Sequence, residues 1–205
     1  MRWTVLVPLK ALPAAKSRLV PGMSVPEHAA LVEAIRADTL VAVRGAASVA
    51  RVVVVTDVPS AFDVDVVIVQ TEPGLNAGLA EAAAQAAHRW PEDGIAALVG
   101  DLPALLSSDL DAALDAAARN PRSFVPDSPG TGTTLLAASP GNALDPQFGT
   151  DSASRHKAGA AELAAGATLR ADVDTAEDLR RAAELGLGAR TELIARSSSP
   201  GKMRL

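Results

Sequence analysis

Three stretches of the chain hold unbroken apolar runs: residues 51–56 (RVVVVT), 65–69 (DVVIV) and 95–99 (IAALV). A strand with one wet face alternates apolar and polar residues, so a continuous apolar run marks a strand covered on both faces. A similar run at 3–7 (WTVLV) is ended by Pro8. Segments of helical spacing lie between these runs. Ser24 is placed to cap a helix reaching about Arg44, with Pro26 and Glu27 in its first turn and Leu31, Ile35, Thr39 and Leu40 on one face. Residues 76–90 predict an Ala-rich helix stopped by Pro91, and Ser107 or Ser108 opens another that reaches about Arg119. Short strands at 123–126 and 133–137 flank a Gly/Pro/Thr turn. Then 151–165 reads as helix, 168–171 as a short strand and 175–185 as a final helix.

Strands alternating with helices specify an α/β fold, with a mostly parallel central sheet and helices on both faces. At 205 residues the chain fits one domain, read as 1–190. Residues 191–205, with a Ser-Ser-Ser-Pro-Gly run, read as a flexible C-terminal tail. Ligands of such sheets bind beyond the carboxyl ends of the strands, here Pro8, Thr56-Asp57 and Gly100-Asp101.

Composition narrows the function. With no Cys, disulfides and thiolate metal sites are excluded. Net charge is −5 and the aromatics are two Trp and three Phe, which suits neither general nucleic-acid binding nor a base-stacking platform. The N-terminal apolar run is too short for secretion or a membrane span, so the expected setting is the cytoplasm, with no membrane partner. The only lysines are Lys10, Lys16, Lys157 and Lys202, and two of these fall in one N-terminal loop.

Six segments can carry chemistry. In PLKALPAAKSRL (8–19), Lys10, Lys16 and Arg18 follow the first strand, where point and forked donors suit a triphosphate. The loop has no Gly, so it is neither a Walker loop nor a dinucleotide fingerprint. In Gly100-Asp101-Leu102-Pro103, a carboxylate directly after a buried strand is a natural Mg2+ ligand, or a turn cap. Asp127 to Thr134 is either an amide cradle for an anion or an ordinary Gly-rich hairpin turn, and these residues alone favour the turn. In FGTDSASRH (148–156), Gly149 gives backbone access and a helix N-terminus follows, with Asp151 as an alternative plain N-cap. In Asp172-Val173-Asp174-Thr175, one carboxylate could join Asp101 at a metal and the other could cap the last helix. Gly74-Leu75-Asn76-Ala77-Gly78 could meet a nucleobase through Asn76, or simply cap a helix with it.

The ordered set VPLKALPAAKSRL, VVVTD, GLNAGL, GDLPAL, PDSPGTGTTLL, FGTDSASRH and DVDT resembles the 2-phospho-L-lactate and phosphoenolpyruvate guanylyltransferases of deazaflavin coenzyme F-420 biosynthesis. The resemblance spans Val7 to about Leu185. It implies a GT-A-like nucleotidyltransferase domain over 1–190 that transfers GMP from GTP to phosphoenolpyruvate or 2-phospho-L-lactate and releases pyrophosphate. It also implies Mg2+ held by Asp101 and Asp174, and the phosphorylated acid held by Thr134, Gly149 and Ser152. Nucleotide would lie on Lys10, Lys16, Arg18, Gly74, Asn76 and Asp101, with Lys16, Asp101 and Asp174 as the catalytic residues. The implied partners are GTP and a small phosphorylated carboxylic acid, without nucleic acid or membrane, and a homodimer is compatible with the sequence. Two positions depart from the family pattern: Asp151 stands where a small residue such as Gly is expected, and Val58 where a second acidic residue is common. Rival readings are a molybdopterin or sugar-phosphate nucleotidyltransferase, disfavoured by the Gly-free first loop, and a nucleotide-binding module without catalysis.

Overall fold

The computed structural model describes residues 1–10, 23–58 and 62–197. Strands β1 (Trp3–Pro8), β2 (Val49–Thr56), β3 (Val66–Val69) and β4 (Gly94–Leu98) run parallel. Strands β5 (Arg122–Pro126) and β6 (Thr133–Ala138) form an antiparallel hairpin; β6 joins β4 antiparallel, and β7 (Ala161–Glu162) adds parallel to β5. The sheet order is β3-β2-β1-β4-β6-β5-β7.

Side chains alternate between the faces of the sheet, so the apolar runs of β1, β2 and β4 fill two cores. The 65–69 run, expected to be covered on both faces, is instead the edge strand β3, only partly buried and with Val69 exposed. Val5, Val7, Val52, Val54, Ala96 and Leu98 pack with Val43 of helix α1 (Val25–Gly45) and with Leu110 and Leu114 of α3 (Ser107–Ala117). Their neighbours Leu6, Val53, Val55, Ile95 and Ala97 pack on Leu79, Ala82 and Ala86 of α2 (Leu75–Arg89). Helix α1 starts at Ser24 in a capping box: the Ser24 side chain accepts from Glu27 N–H, and the Glu27 carboxylate accepts from Ser24 N–H. A third cluster joins Leu31 and Ile35 of α1 to Val173 and to Leu179 and Ala182 of α6 (Ala176–Leu185). No described helix is long and apolar enough to cross a membrane.

Three segments differ from expectation. The helix read over 151–165 is only α4 (Ser152–Lys157). Beyond it the chain takes the edge of β5: Arg122 Nε donates to the Gly159 carbonyl (3.1 Å) and Leu163 N–H to the Phe124 carbonyl (2.9 Å). The strand read at 168–171 is a helical turn, α5 (Ala167–Arg170). Its Thr168 hydroxyl donates to Asp109 (2.6 Å), while Arg170 reaches the carbonyls of Pro126 (3.1 Å) and Asp127 (2.8 Å). The tail read from 191 onward is, through residue 197, a helix, α7 (Ala189–Ser197), with Thr191 and Ala195 buried. Its cap comes from the middle of α1. Buried Asp38 accepts from Thr191 N–H (2.7 Å) and Arg190 N–H (3.3 Å), satisfying helix-end donors and placing a negative charge at a helix N-terminus. Residues 198–205 lie outside the described residues.

Asp38→Ala removes this cap and strands two amides. It is expected to cost about 1–2 kcal/mol and to lower Tm by roughly 2–8 °C. Scanning calorimetry checks this; an unchanged Tm would show that α7 does not depend on the cap.

Candidate functional site

From β1 the chain moves through α1 to β2 and β3, then returns through α2 to β4 on the other side of β1. The sheet therefore has its switch point between the carboxyl ends of β1 and β4, where open α/β sheets hold ligands. These ends pack tightly: a Cβ on Gly100 would lie 2.4 Å from Leu9 Cδ2 and 3.3 Å from the Pro8 carbonyl oxygen. Gly100 thus lets the chain leave β4 against the end of β1.

The next residues are pinned from three directions. Leu102 N–H donates to Thr39 Oγ1 of α1 (3.0 Å), Val173 N–H to the Asp101 carbonyl (3.0 Å) and Gly188 N–H to the Pro103 carbonyl (2.7 Å). The Val173 bond sets the Asp172-Val173-Asp174 segment beside Asp101. Asp172 and Asp174 line a cavity of about 130 Å3 with Asp127, Asp178 and Arg181. The expectation that Asp172 or Asp174 caps the last helix is corrected. Thr175 caps α6, and Asp178 closes the capping box by accepting from Thr175 N–H (2.9 Å) and its hydroxyl (2.7 Å). Burial alone would raise the Asp178 carboxyl pKa, but the Thr175 and Arg181 hydrogen bonds hold it below the ordinary value, so this group is committed to the cap. Among the described residues no set of three or more His, Asp or Glu side chains is placed to hold a metal. What the fold supplies is two acidic segments tied backbone to backbone.

On the cationic side, Lys16 and Arg18 lie outside the described residues. Lys10 is described and exposed, and its carbonyl accepts from Arg36 Nη2 (2.8 Å). Arg36 of α1 is a residue the sequence reading missed. Burial lowers its guanidinium pKa, opposed by the charges of Glu33, Asp101 and Asp57, so a cation faces both strand-end aspartates. It sits one residue after buried Ile35, and its sequence neighbourhood gives no sign of partners in two distant loops.

Most amides of the 127–134 turn serve the turn itself, and the Ser128 amide donates to the Arg170 carbonyl (2.8 Å). Thr131 N–H (2.9 Å) and Gly132 N–H (2.8 Å) donate to the Asp127 carboxylate, as the hairpin reading expected. The loop from Gln147 to Asp151 is built differently. Gln147 N–H donates to His156 Nε2 (3.0 Å), so His156 carries its proton on Nδ1 and donates it to Thr133 Oγ1 (2.9 Å). Ser152 Oγ donates to the same Thr133 oxygen (3.2 Å). Arg155 donates to the Gln147 carbonyl (3.0 Å) and to the Thr150 carbonyl. Gly149 at φ 118° and Asp151 at φ 54° turn the chain through left-handed conformations. That conformation is the physical reason a Gly is the ordinary choice where this chain has Asp151. Among the described residues, the Gly149, Thr150 and Asp151 amides donate to no acceptor, and successive amides in such a turn form an anion nest.

Thr134 makes its hydrogen bonds away from Ser152. Its carbonyl accepts from Val99 N–H (3.0 Å), two residues before Asp101, and its hydroxyl is directed at the Val125 carbonyl (3.4 Å). The Thr133–Thr134 pair therefore links the amide nest on one side to the exit of β4 on the other. Gly74 precedes α2 at φ 109°, where only glycine is at ease. Asn76 does not offer its amide outward: Nδ2 donates to the Phe148 carbonyl (3.0 Å) and Oδ1 accepts from Phe148 N–H (2.8 Å).

Solved structures share this architecture. A nucleotidyl transferase from Methanothermobacter superposes with a TM-score of 0.53 at 18% identity over 90% of this chain and 97% of its own. Rv0371C of Mycobacterium tuberculosis, solved in complex with manganese, gives a TM-score of 0.57 at 23% identity over 89% of this chain and 98% of its own. The fold is that of a nucleotidyltransferase. The family described as "Guanylyl transferase CofC like" matches residues 3–192, and the chain belongs to it. Two relatives are phosphoenolpyruvate guanylyltransferases. The one from Streptomyces avermitilis is 47% identical over 95% of this chain and 94% of its own, and the one from Salinispora arenicola is 46% identical over 97% and 95%.

His156 is buried, and desolvation, aided by the Arg155 charge, pushes its pKa down from 6.5 to about 4. The unfolded chain therefore binds a proton on this side chain between pH 6.5 and 4 that the folded chain does not. Stability is fully present above about pH 6.5 and is lost as the pH falls towards 4, by up to about 3 kcal/mol. Urea unfolding at pH 7.0, 5.5 and 4.5 checks this: wild type is expected to lose about 2 kcal/mol more than His156→Gln over that range. Parallel losses in the two proteins would show that His156 is not held neutral.

Proposed function

We propose that this guanylyltransferase transfers GMP from GTP to phosphoenolpyruvate, releasing pyrophosphate, in the biosynthesis of deazaflavin coenzyme F-420; 2-phospho-L-lactate is the second candidate acceptor. The observation that carries the reading is the Val173–Asp101 backbone bond, which sets two acidic segments side by side at the ligand edge of the sheet. Support also comes from the names of the relatives, which share 46–47% identity over nearly the whole chain.

In this reading a phosphate oxygen of the acid attacks the α-phosphorus of GTP in line. A new P–O bond forms as the bond to the β-phosphate bridging oxygen breaks, and pyrophosphate leaves. The nucleophile is already an anion, so no strong general base is needed, and catalysis is positioning plus charge neutralisation. The Gly149–Asp151 amides and Ser152 hold the acid, with Thr134 on the side of β4. Lys10, Lys16 and Arg18 take the triphosphate, with Lys16 assigned the catalytic role. Arg36 anchors the start of that loop through the Lys10 carbonyl. Asp101 and Asp174 fit a hard divalent ion such as Mg2+, which takes one or two carboxylates and completes its shell with phosphate and water. When bound there, it supplies charge neutralisation at the phosphates.

The substrate test is mass spectrometry of reactions containing GTP, Mg2+ and, separately, phosphoenolpyruvate, 2-phospho-L-lactate or 3-phosphoglycerate. The GMP adduct of phosphoenolpyruvate is the expected product, and no adduct with any of the three would reject the reading. Asp101→Ala is expected to lower the rate by more than about 100-fold, comparable to the loss of one strong transition-state contact. Near-normal turnover in Mg2+ buffer would remove Asp101 from the metal site.

A further inference from the structure

Helix α2 and the Gln147–Asp151 loop are joined by a pair of hydrogen bonds between residues 72 positions apart. The orientation of the Asn76 amide is fixed by its partners: Phe148 N–H can only donate and the Phe148 carbonyl can only accept. Both ends of the side chain are thereby engaged on the residue directly before Gly149. Asn76 is half-buried, in the first turn of α2, two residues after Gly74. Phe148 itself packs against the α2 face of the core and stands edge-on to the His156 ring, with centroids 5.2 Å apart.

The same loop is tethered elsewhere through Gln147, to His156 and Arg155, through the Thr150 carbonyl, to Arg155, and through the Gly149 and Asp151 carbonyls, which accept from the Ser152 and Arg155 amides. Among the described side chains, Asn76 alone hydrogen-bonds the Phe148 main chain, and its bond to the Phe148 carbonyl fixes the peptide plane that carries the Gly149 amide. A nest of three amides holds an anion only if all three converge. A displacement of about 1 Å is enough to weaken such a site severely.

We propose that Asn76 is a positioning residue for the phosphorylated acid: it holds Phe148 so that the Gly149–Asp151 amides converge, and it does not read the nucleotide base. This rests on the assignment of that nest to the acid in the proposed function. It also makes the end of α2 that begins at Gly74 part of the same rigid unit as the acid loop.

The test is steady-state kinetics of Asn76→Ala and Asn76→Asp with GTP, Mg2+ and phosphoenolpyruvate, together with hydrogen exchange of the 147–152 peptide without ligands. Asn76→Asp keeps the acceptor for Phe148 N–H, loses the donor to the Phe148 carbonyl and suits the first turn of a helix, so folding is preserved in at least this variant. Asn76→Ala is expected to raise KM for the acid at least tenfold, with kcat and KM for GTP within threefold of wild type, and to speed exchange at Phe148, whose amide loses its acceptor. Asn76→Asp is expected to fall between. A rise in KM for GTP that matches or exceeds that for the acid would overturn the proposal, as would a KM for the acid within twofold of wild type. If wild type itself makes no adduct with any acid, the functional reading fails. The exchange data then decide on their own, and an unchanged 147–152 peptide sinks the positioning role.

Discussion

One backbone hydrogen bond, from Val173 N–H to the Asp101 carbonyl, organises the candidate site. The two acidic segments it joins belong to different parts of the fold. Asp101 follows a central strand whose position is set by the two-faced core, and Asp174 precedes α6, which packs on the outer side of α1. Thr39 and Gly188 fix the same Asp101–Pro103 turn from two other directions. The turn is thus fixed through main-chain and hydroxyl groups from three elements at once.

The acid loop follows the same logic with different parts. His156, kept neutral by burial, Arg155 and Asn76 each bind main-chain atoms of residues 147–150. Three successive amides, of Gly149, Thr150 and Asp151, are left that no described acceptor uses. Thr133 receives hydrogen bonds from this loop system while Thr134 pairs with the end of β4, so the two halves of the site are connected through adjacent residues of one strand. Strained backbone at Asp151 fits this picture, since left-handed turns in non-glycine residues persist where the surroundings over-determine them.

The parts of this fold that were legible in the sequence were those governed by local periodicity or local chemistry. The apolar runs at 51–56 and 95–99 mark β2 and β4 because both faces of each strand are buried. Ser24 and Glu27 announced the start of α1 because both partners of that capping box lie within one turn. What stayed hidden was set by distant partners. The α7 cap is Asp38, some 150 residues away, and β7 exists because β5 has an edge to fill. Arg36 and Asn76 illustrate the same limit at the site. Residue type alone suggests a solvated helix face for one and a helix cap or base reader for the other; only the fold shows that each grips a distant main chain.

The central claim is that Asp101 and Asp174 act on one ion rather than separately, and a double-mutant cycle tests it most directly. Pyrophosphate release from GTP and phosphoenolpyruvate would be measured for wild type, Asp101→Asn, Asp174→Asn and the double variant at one saturating Mg2+ concentration. If the two carboxylates share an ion, each single change removes most of the rate, and the double variant is little worse than the poorer single. Losses that multiply in the double variant, or an Asp174→Asn enzyme as fast as wild type, would contradict a shared site.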